Sequence, residues 1–174
     1  MPSKRVIVEG GNIMIFFMSG KDAFPYAFSQ FTDTVYRVAV HNSARTADAE
    51  DITQSVFVKL LESEKAFRGT EHLKAWLIRV TINLCRDELR KNANIVLCEA
   101  PLPKNAAEKE DSVIEAVRAL PENYRNTVYL HYYEGYSAKE IGKILDAKPN
   151  TVLSWLSRGR AMLKKEMIGG FDDE

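Results

Sequence analysis

The sequence predicts an all-α protein: two small helical domains joined by a flexible linker, the C-terminal one containing a helix-turn-helix. Three observations carry this. Apolar residues recur at three- and four-residue intervals on both sides of the chain's middle, the period of helices that each bury one stripe. Between them, residues 93–110 lose that period and collect Pro101, Pro103, alanines and acids, which reads as a linker. After it, prolines and a serine-led capping signal divide the chain into short helices.

The elements follow in order. Residues 1–21 form an N-terminal extension with a short apolar run, residues 13–18, behind Lys4 and Arg5. That run is too short to span a bilayer, and no small-residue cleavage site follows it, so neither a signal peptide nor membrane insertion is expected. Gly10 and Gly11 precede Met14 at a spacing that suits a translated ribosome-binding site, so translation is expected to begin at Met14 or Met18.

The first domain is read over residues 22–92. Residues 23–40 carry Phe24, Phe28, Phe31, Val35, Val38 and Ala39 on one helical face, with Pro25 in the first turn. Thr46 is expected to cap a second helix running to residue 62, in which Ile52, Val56 and Leu60 recur every four residues and Asp48, Asp51 and Gln54 fall largely off that stripe. A polar loop around residues 67–70 precedes a third helix over residues 72–91, lined by Trp76, Val80 and Leu84 with Leu77 and Leu89 adjoining.

The second domain is read over residues 111–168, with an acidic tail at 169–174. Residues 113–120 form a helix stopped by Pro121, which suits the opening turn of the next, through about residue 133. Glu134, Gly135 and Tyr136 make a turn. The stretch Ser137-Ala138-Lys139-Glu140 has the capping-box form, in which hydroxyl and carboxylate reciprocally satisfy free backbone amides. The helix it opens carries Ile141, Ile144 and Leu145; Asp146, Ala147 and Lys148 then turn tightly, and Pro149 starts a last helix with Val152, Leu156 and Leu163 facing inward.

Composition narrows the function classes. Hydrophobic residues at 45% and charged residues at 28% suit a folded soluble protein and exclude an intrinsically disordered chain. Cations and acids both total 24, so bulk attraction to nucleic acid is not expected and the distribution of charge must decide. Lys74, Arg79, Arg86, Arg90 and Lys91 outweigh Asp87 and Glu88, the stretch 139–165 is also basic, and acids gather between and after these segments. Cys85 and Cys98 are too few for a disulfide framework and lack metal-ligand spacing; reduced cytoplasmic thiols are expected, Cys85 in the core. His41, His72 and His131 are scattered, and no nucleophile, paired-carboxylate site or phosphate loop stands out, so neither a catalytic residue, a metal nor a cofactor is expected.

A helix-turn-helix places its second helix in the major groove. Here that puts Asn150, Thr151, Leu153, Ser154, Ser157 and Arg158 near base edges, while Lys148, Arg160, Lys164 and Lys165 suit phosphate.

This domain has company. The segment Asp48-Ala49-Glu50-Asp51-Ile52-Thr53-Gln54-Ser55-Val56-Phe57, then Phe67-Arg68-Gly69, then residues 75–90 from Ala75-Trp76-Leu77 through Asn83 to Leu89-Arg90, and finally Leu120-Pro121 ahead of the helix-turn-helix form an ordered series. Together, over residues 22–168, they resemble the extracytoplasmic-function sigma factors of bacteria. The resemblance implies a protein that binds core RNA polymerase and directs it to promoters without catalysing a reaction itself. It implies polymerase contacts at Asp48, Asp51, Gln54 and Phe57. It implies −10 contacts at Arg68, Thr70, Glu71, His72, Arg79, Asn83, Arg86 and Arg90, with Phe67 joining residues 68–72 in the loop around the flipped base of the melted non-template strand, Asn83 reading a base and Lys91 adding a phosphate contact. At an apolar helical position, Trp76 is read as core rather than as a stacking platform. The last helix then reads the −35 element of duplex promoter DNA, with Leu153 and Trp155 standing where relatives often carry arginine. An anti-sigma factor is the implied regulatory partner. The alternative reading, a stand-alone helix-turn-helix regulator, leaves the Asp48 helix and Asn83 unexplained, and a recombinase or nuclease would need catalytic groups that are not apparent.

Overall fold

A computed structural model describes residues 7–9, 12–14, 19–43, 45–93 and 109–169 of the chain. It divides into two compact units, Met1–Leu102 and Pro103–Glu174. Seven helices are present among the described residues, and none is long and apolar enough to cross a membrane.

The first unit opens with an addition to the all-helical expectation. β1 (Ile7–Glu9) pairs antiparallel with β2 (Asn12–Met14), Ile7 opposite Met14. Translation from Met14 or Met18 would omit β1 and all or most of β2.

α1 (Gly20–Asn42) begins three residues earlier than the apolar period suggests, because Ser19 caps it. The Ser19 hydroxyl accepts from the Asp22 amide at 3.3 Å and donates to the Asp22 carboxylate at 2.8 Å. Pro25 therefore lies in the second turn rather than the first, where its missing amide leaves only the carbonyl of the exposed Lys21 for water to satisfy. The deepest face of α1 is Ala23, Ala27, Val35, Val38 and Ala39; Phe24 and Phe31 are half-buried and Phe28 is 52% exposed.

α2 (Thr46–Glu62) is capped by Arg45 without a side-chain cap bond, so Thr46 is its first helical residue and not the expected cap. Negative charge near the helix start is supplied by Asp48, which the Arg45 guanidinium holds at 2.9 and 3.2 Å. Ala49, Ile52, Val56, Phe57 and Leu60 are buried, a stripe wider than the four-residue repeat alone.

α3 (Thr70–Ala93) follows a loop that turns at Gly69, whose φ of 132° is a conformation side chains rarely adopt. Its buried apolar residues are Leu73, Leu77, Ile78, Ile82 and Cys85, while Trp76, Val80 and Leu84 pack half-buried at the edge and Leu89 is 39% exposed. The expected stripe is thus rotated toward Leu73 and Leu77. Cys85 sits in the core, its thiol donating to the Ala39 carbonyl at 3.9 Å. Fully burying Phe67, Leu60, Leu73 or Leu77 is worth about 1.5–3 kcal/mol each, which makes these side chains the anchors of the three-helix packing.

In the second unit, α4 (Lys109–Ala119) reaches into the expected linker. Pro121 caps α5 (Glu122–Tyr132). The turn after it closes through the Tyr136 amide donating to the Leu130 carbonyl at 3.0 Å, with Gly135 at φ 76°. α6 (Ala138–Leu145) opens on a complete capping box between Ser137 and Glu140 and ends at Asp146, in the left-handed conformation. α7 (Pro149–Gly169) completes the helix-turn-helix. Val117, Leu120 and Val128 form a small core on which Tyr124 and Leu163 pack, and Val152 and Leu156 are buried as expected.

Candidate polymerase and nucleic-acid interfaces

The start of α7 is fixed by a close turn. The Ala147 amide donates to the Gly142 carbonyl at 2.8 Å, and a Cβ on Gly142 would lie 2.5 Å from the Ala147 carbonyl oxygen. Only the absent side chain lets the turn fold onto α6, which sets the angle at which α7 leaves.

α7 presents three parallel lines of exposed residues. Asn150, Ser154, Ser157 and Ala161 fall at i, i+4, i+7 and i+11, a central strip of small uncharged side chains. Leu153, Arg160 and Lys164 run along one side of it, and Thr151, Arg158 and Lys165 along the other. A helix about 10–12 Å across with a neutral strip between two cationic edges matches a major groove roughly 12 Å wide, walled by two rows of phosphates. The first turn of α7 holds no acid, and the first acid along it is Glu166. Helix starts ordinarily favour acids, and one here would repel an approaching phosphate. The Ser154 hydroxyl donates to the Asn150 carbonyl at 3.0 Å, which leaves its lone pairs available to a base donor. Lys148 is exposed just ahead of the helix, and Trp155 is half-buried at the side of α7.

On α3, His72, Arg79, Asn83, Arg86 and Arg90 share one helical line, spanning about 27 Å along the axis at ~1.5 Å per residue. Asn83, Arg79 and Arg90 are exposed and Arg86 is half-buried. Arg90 meets Asp87 at 3.8 Å and Lys91 meets Glu88 at 3.7 Å, long surface pairs that give way cheaply to phosphate.

The loop before α3 is built from beneath. Phe67 is 0% exposed, edge-on to Trp76 with centroids 5.3 Å apart and 5.7 Å from the His72 ring. Within the loop expected around a flipped base, Phe67 thus lies in the core beneath, and half-buried Trp76 packs against it. Exposed Arg68 donates its amide to His72 Nδ1 at 3.1 Å, tying the loop to the first turn of the helix. Thr70 is half-buried at the start of α3, and Glu71 and His72 are exposed.

The proposed polymerase face on α2 is rearranged in two respects. Phe57 is 4% exposed and packs against Phe24 and Phe28, with centroids 6.1 and 5.2 Å away, so it cannot be a surface anchor. The apolar residue that shares the outer face with exposed Asp51 and Gln54 is Val58, 51% exposed. Asp48 is mostly covered, its side chain only 12% exposed in the ion pair with Arg45. Between α1 and α2 lies an apolar groove lined by Phe28, Phe57, Val58 and Leu61, with Gln54 on its rim. The repeat-based reading counted Phe28 among the buried face of the first helix and passed over Val58 and Leu61; the signal was their surplus over the width one buried stripe needs. Among the described residues no group of His, Cys, Asp and Glu could hold a metal ion.

A helix-turn-helix whose last helix carries a cation-flanked exposed face, together with a second helical unit that bears a basic line beside a tied loop, suits a protein that binds nucleic acid. The family descriptions Sigma-70 region 2 and Sigma-70, region 4 match residues 27–95 and 110–163. The chain belongs to the extracytoplasmic-function sigma factors of the sigma-70 family. It is 26% identical over 168 residues to the ECF RNA polymerase sigma factor SigW of Bacillus subtilis, covering 84% of this chain and 90% of SigW. It is 34% identical over 150 residues to the ECF RNA polymerase sigma factor SigE of Mycolicibacterium smegmatis, covering 78% of this chain and 58% of SigE. Among solved structures it is similar to the sigma factor RpoE from Bartonella quintana, crystallised with the anti-sigma factor NepR, with a TM-score of 0.69 at 21% identity, covering 87% of this chain and 98% of RpoE; at that identity the likeness is one of fold. The chain thus serves promoter-specific initiation of transcription through RNA polymerase. The region 2 match over residues 27–95 leaves the stand-alone regulator without support.

Proposed function

We propose that the chain divides its work between its two units. The first seats on core polymerase through Asp51, Gln54 and Val58 on α2, with Asp48 shaping the helix start. The same unit holds the −10 strand: Arg68, Thr70, Glu71 and His72 form the rim around an extracted base, Asn83 pairs with a base edge, and Arg79, Arg86, Arg90 and Lys91 hold phosphates. Extraction of a base costs stacking energy, which a polar pocket and a basic track offset. The second unit reads the −35 duplex with the central strip of α7 and grips phosphates with Lys148, Arg158, Arg160 and Lys164. The segment between the units tethers them, so that two modest affinities multiply through effective concentration.

The observation that carries this reading is the shared line of Arg79, Asn83, Arg86 and Arg90 on α3, because a plain helix-turn-helix regulator has no use for a second basic track. On this reading the polymerase performs all covalent chemistry, the chain works in the cytoplasm, and it needs no cofactor. An anti-sigma factor is its regulatory partner; NepR bound to a fold of this kind supports that assignment. The exposed apolar groove between α1 and α2 is a surface such a partner would cover.

Run-off transcription with core polymerase on genomic fragments tests the proposal. The wild-type chain should yield discrete transcripts, and both Asn83→Ala and Arg158→Ala should reduce them. Transcripts that appear equally with core polymerase alone would refute it.

A further inference from the structure

We propose that Leu153 reads the methyl group of a single thymine in the upstream promoter element, so that one position of the −35 sequence is recognised by apolar contact rather than by hydrogen bonding. The inference rests on the assignment of α7 to duplex DNA and specifies what part of that helix selects.

Leu153 is 54% exposed in the second turn of α7. Its exposed neighbours on that face are Pro149 one turn back, then Asn150, Ser154, Ser157 and Arg160, so apart from the proline they are polar or cationic. The core of this unit takes Val152 and Leu156 from the same helix, at 0% and 6% exposure, so its packing does not require Leu153. A leucine on that face gains nothing from water and offers no hydrogen bond.

Its place on the helix decides what it meets. Leu153 heads the line continued by Arg160 and Lys164, and in a helix-turn-helix the residues near the start of the second helix lie against base edges while later ones pass the backbone. Its line therefore changes from apolar to cationic where the helix leaves the bases for the phosphates. Among major-groove base edges, only thymine presents an apolar group, its 5-methyl. Opposite guanine, adenine or cytosine, Leu153 would strip water from a donor or acceptor and return no bond, which penalises those bases. Selection by Leu153 thus combines one favoured contact with three disfavoured ones.

The test uses reconstituted holoenzyme and duplex DNA recovered with it from a random-sequence pool, footprinted to locate the upstream contact. Each thymine in that footprint is replaced in turn by deoxyuridine, which removes the methyl and nothing else. Removal of one methyl is expected to weaken binding by roughly four-fold, the value of one methyl-sized apolar group. With Leu153→Ala holoenzyme the same replacement should change binding by less than about 1.5-fold, because its partner is gone. Alanine is the best helix former and the site is exposed, so the variant keeps its fold; an unchanged thermal melt verifies this. If no upstream thymine responds, or the response survives in Leu153→Ala, the inference is wrong while the upstream footprint itself leaves the sigma reading standing. If no upstream footprint forms, both fall together.

Discussion

Asn83 stands exposed between Arg79 and Arg86 with an amide that both donates and accepts, so its removal should act on the opened strand rather than on the duplex. In Asn83→Ala, permanganate reactivity of the −10 region should fall on the order of tenfold, taking ~1–3 kcal/mol for an amide pairing with a base edge. Closed-complex affinity should change less than about threefold; equal loss of both would remove Asn83 from its role. At Gly142 the constraint is steric. Alanine there would force its Cβ against the Ala147 carbonyl, and Gly142→Ala should destabilise the second unit by ~1–3 kcal/mol in thermal unfolding of the full chain. Residue types pointed to these positions, but side-chain direction did not follow from them. Phe57, flanked by Val56 and Val58, was marked for the surface only by what the resemblance implied, and Phe67 by its place beside Arg68 in a polar loop; both rings are buried.

Among the elements, α6 carries the clearest electrostatic signature. The Ser137 hydroxyl and then the Ser137 amide hold the Glu140 carboxyl below its ordinary pKa. A carboxyl depressed in the folded state contributes stability above its unfolded pKa and loses it as pH falls through the folded value. Ser137→Ala, which removes both the cap and the hydroxyl partner of that carboxylate, should lower the thermal midpoint at neutral pH. The difference between wild type and variant should narrow as acidification protonates Glu140, and a gap independent of pH down to full protonation would argue against the box. For α7 the relevant measurement is salt dependence: Arg160→Ala should lower the slope of log affinity against log salt by ~0.9, the release of one counterion, without altering which sequence is chosen. The helices themselves were legible, since amphipathic period, prolines and the capping box located every one. Their rotation was less so. In α3 several apolar residues lie close together, at 73, 76, 77, 78, 80, 82 and 84, and a stripe through Trp76, Val80 and Leu84 fits the period as well as the one through Leu73 and Leu77 that the other helices cover.

For the whole molecule, the proposed reading assigns the two compact units of the chain to two separated sequence elements. The functional class was readable because several moderately specific segments occur in one order, which no single composition or charge measure would have revealed in a chain of net charge zero. The pairing of residues 7–9 with 12–14 was not readable, because three-residue strands are too short to show alternation. The central claim is that both units engage one promoter at once while resting on polymerase. Footprinting of reconstituted holoenzyme on a selected promoter tests it directly. The account predicts two protected patches absent with core polymerase alone, the upstream one lost in Arg158→Ala and the downstream one reactive to permanganate in an Asn83-dependent way. A single patch, or protection that survives both substitutions, would contradict it.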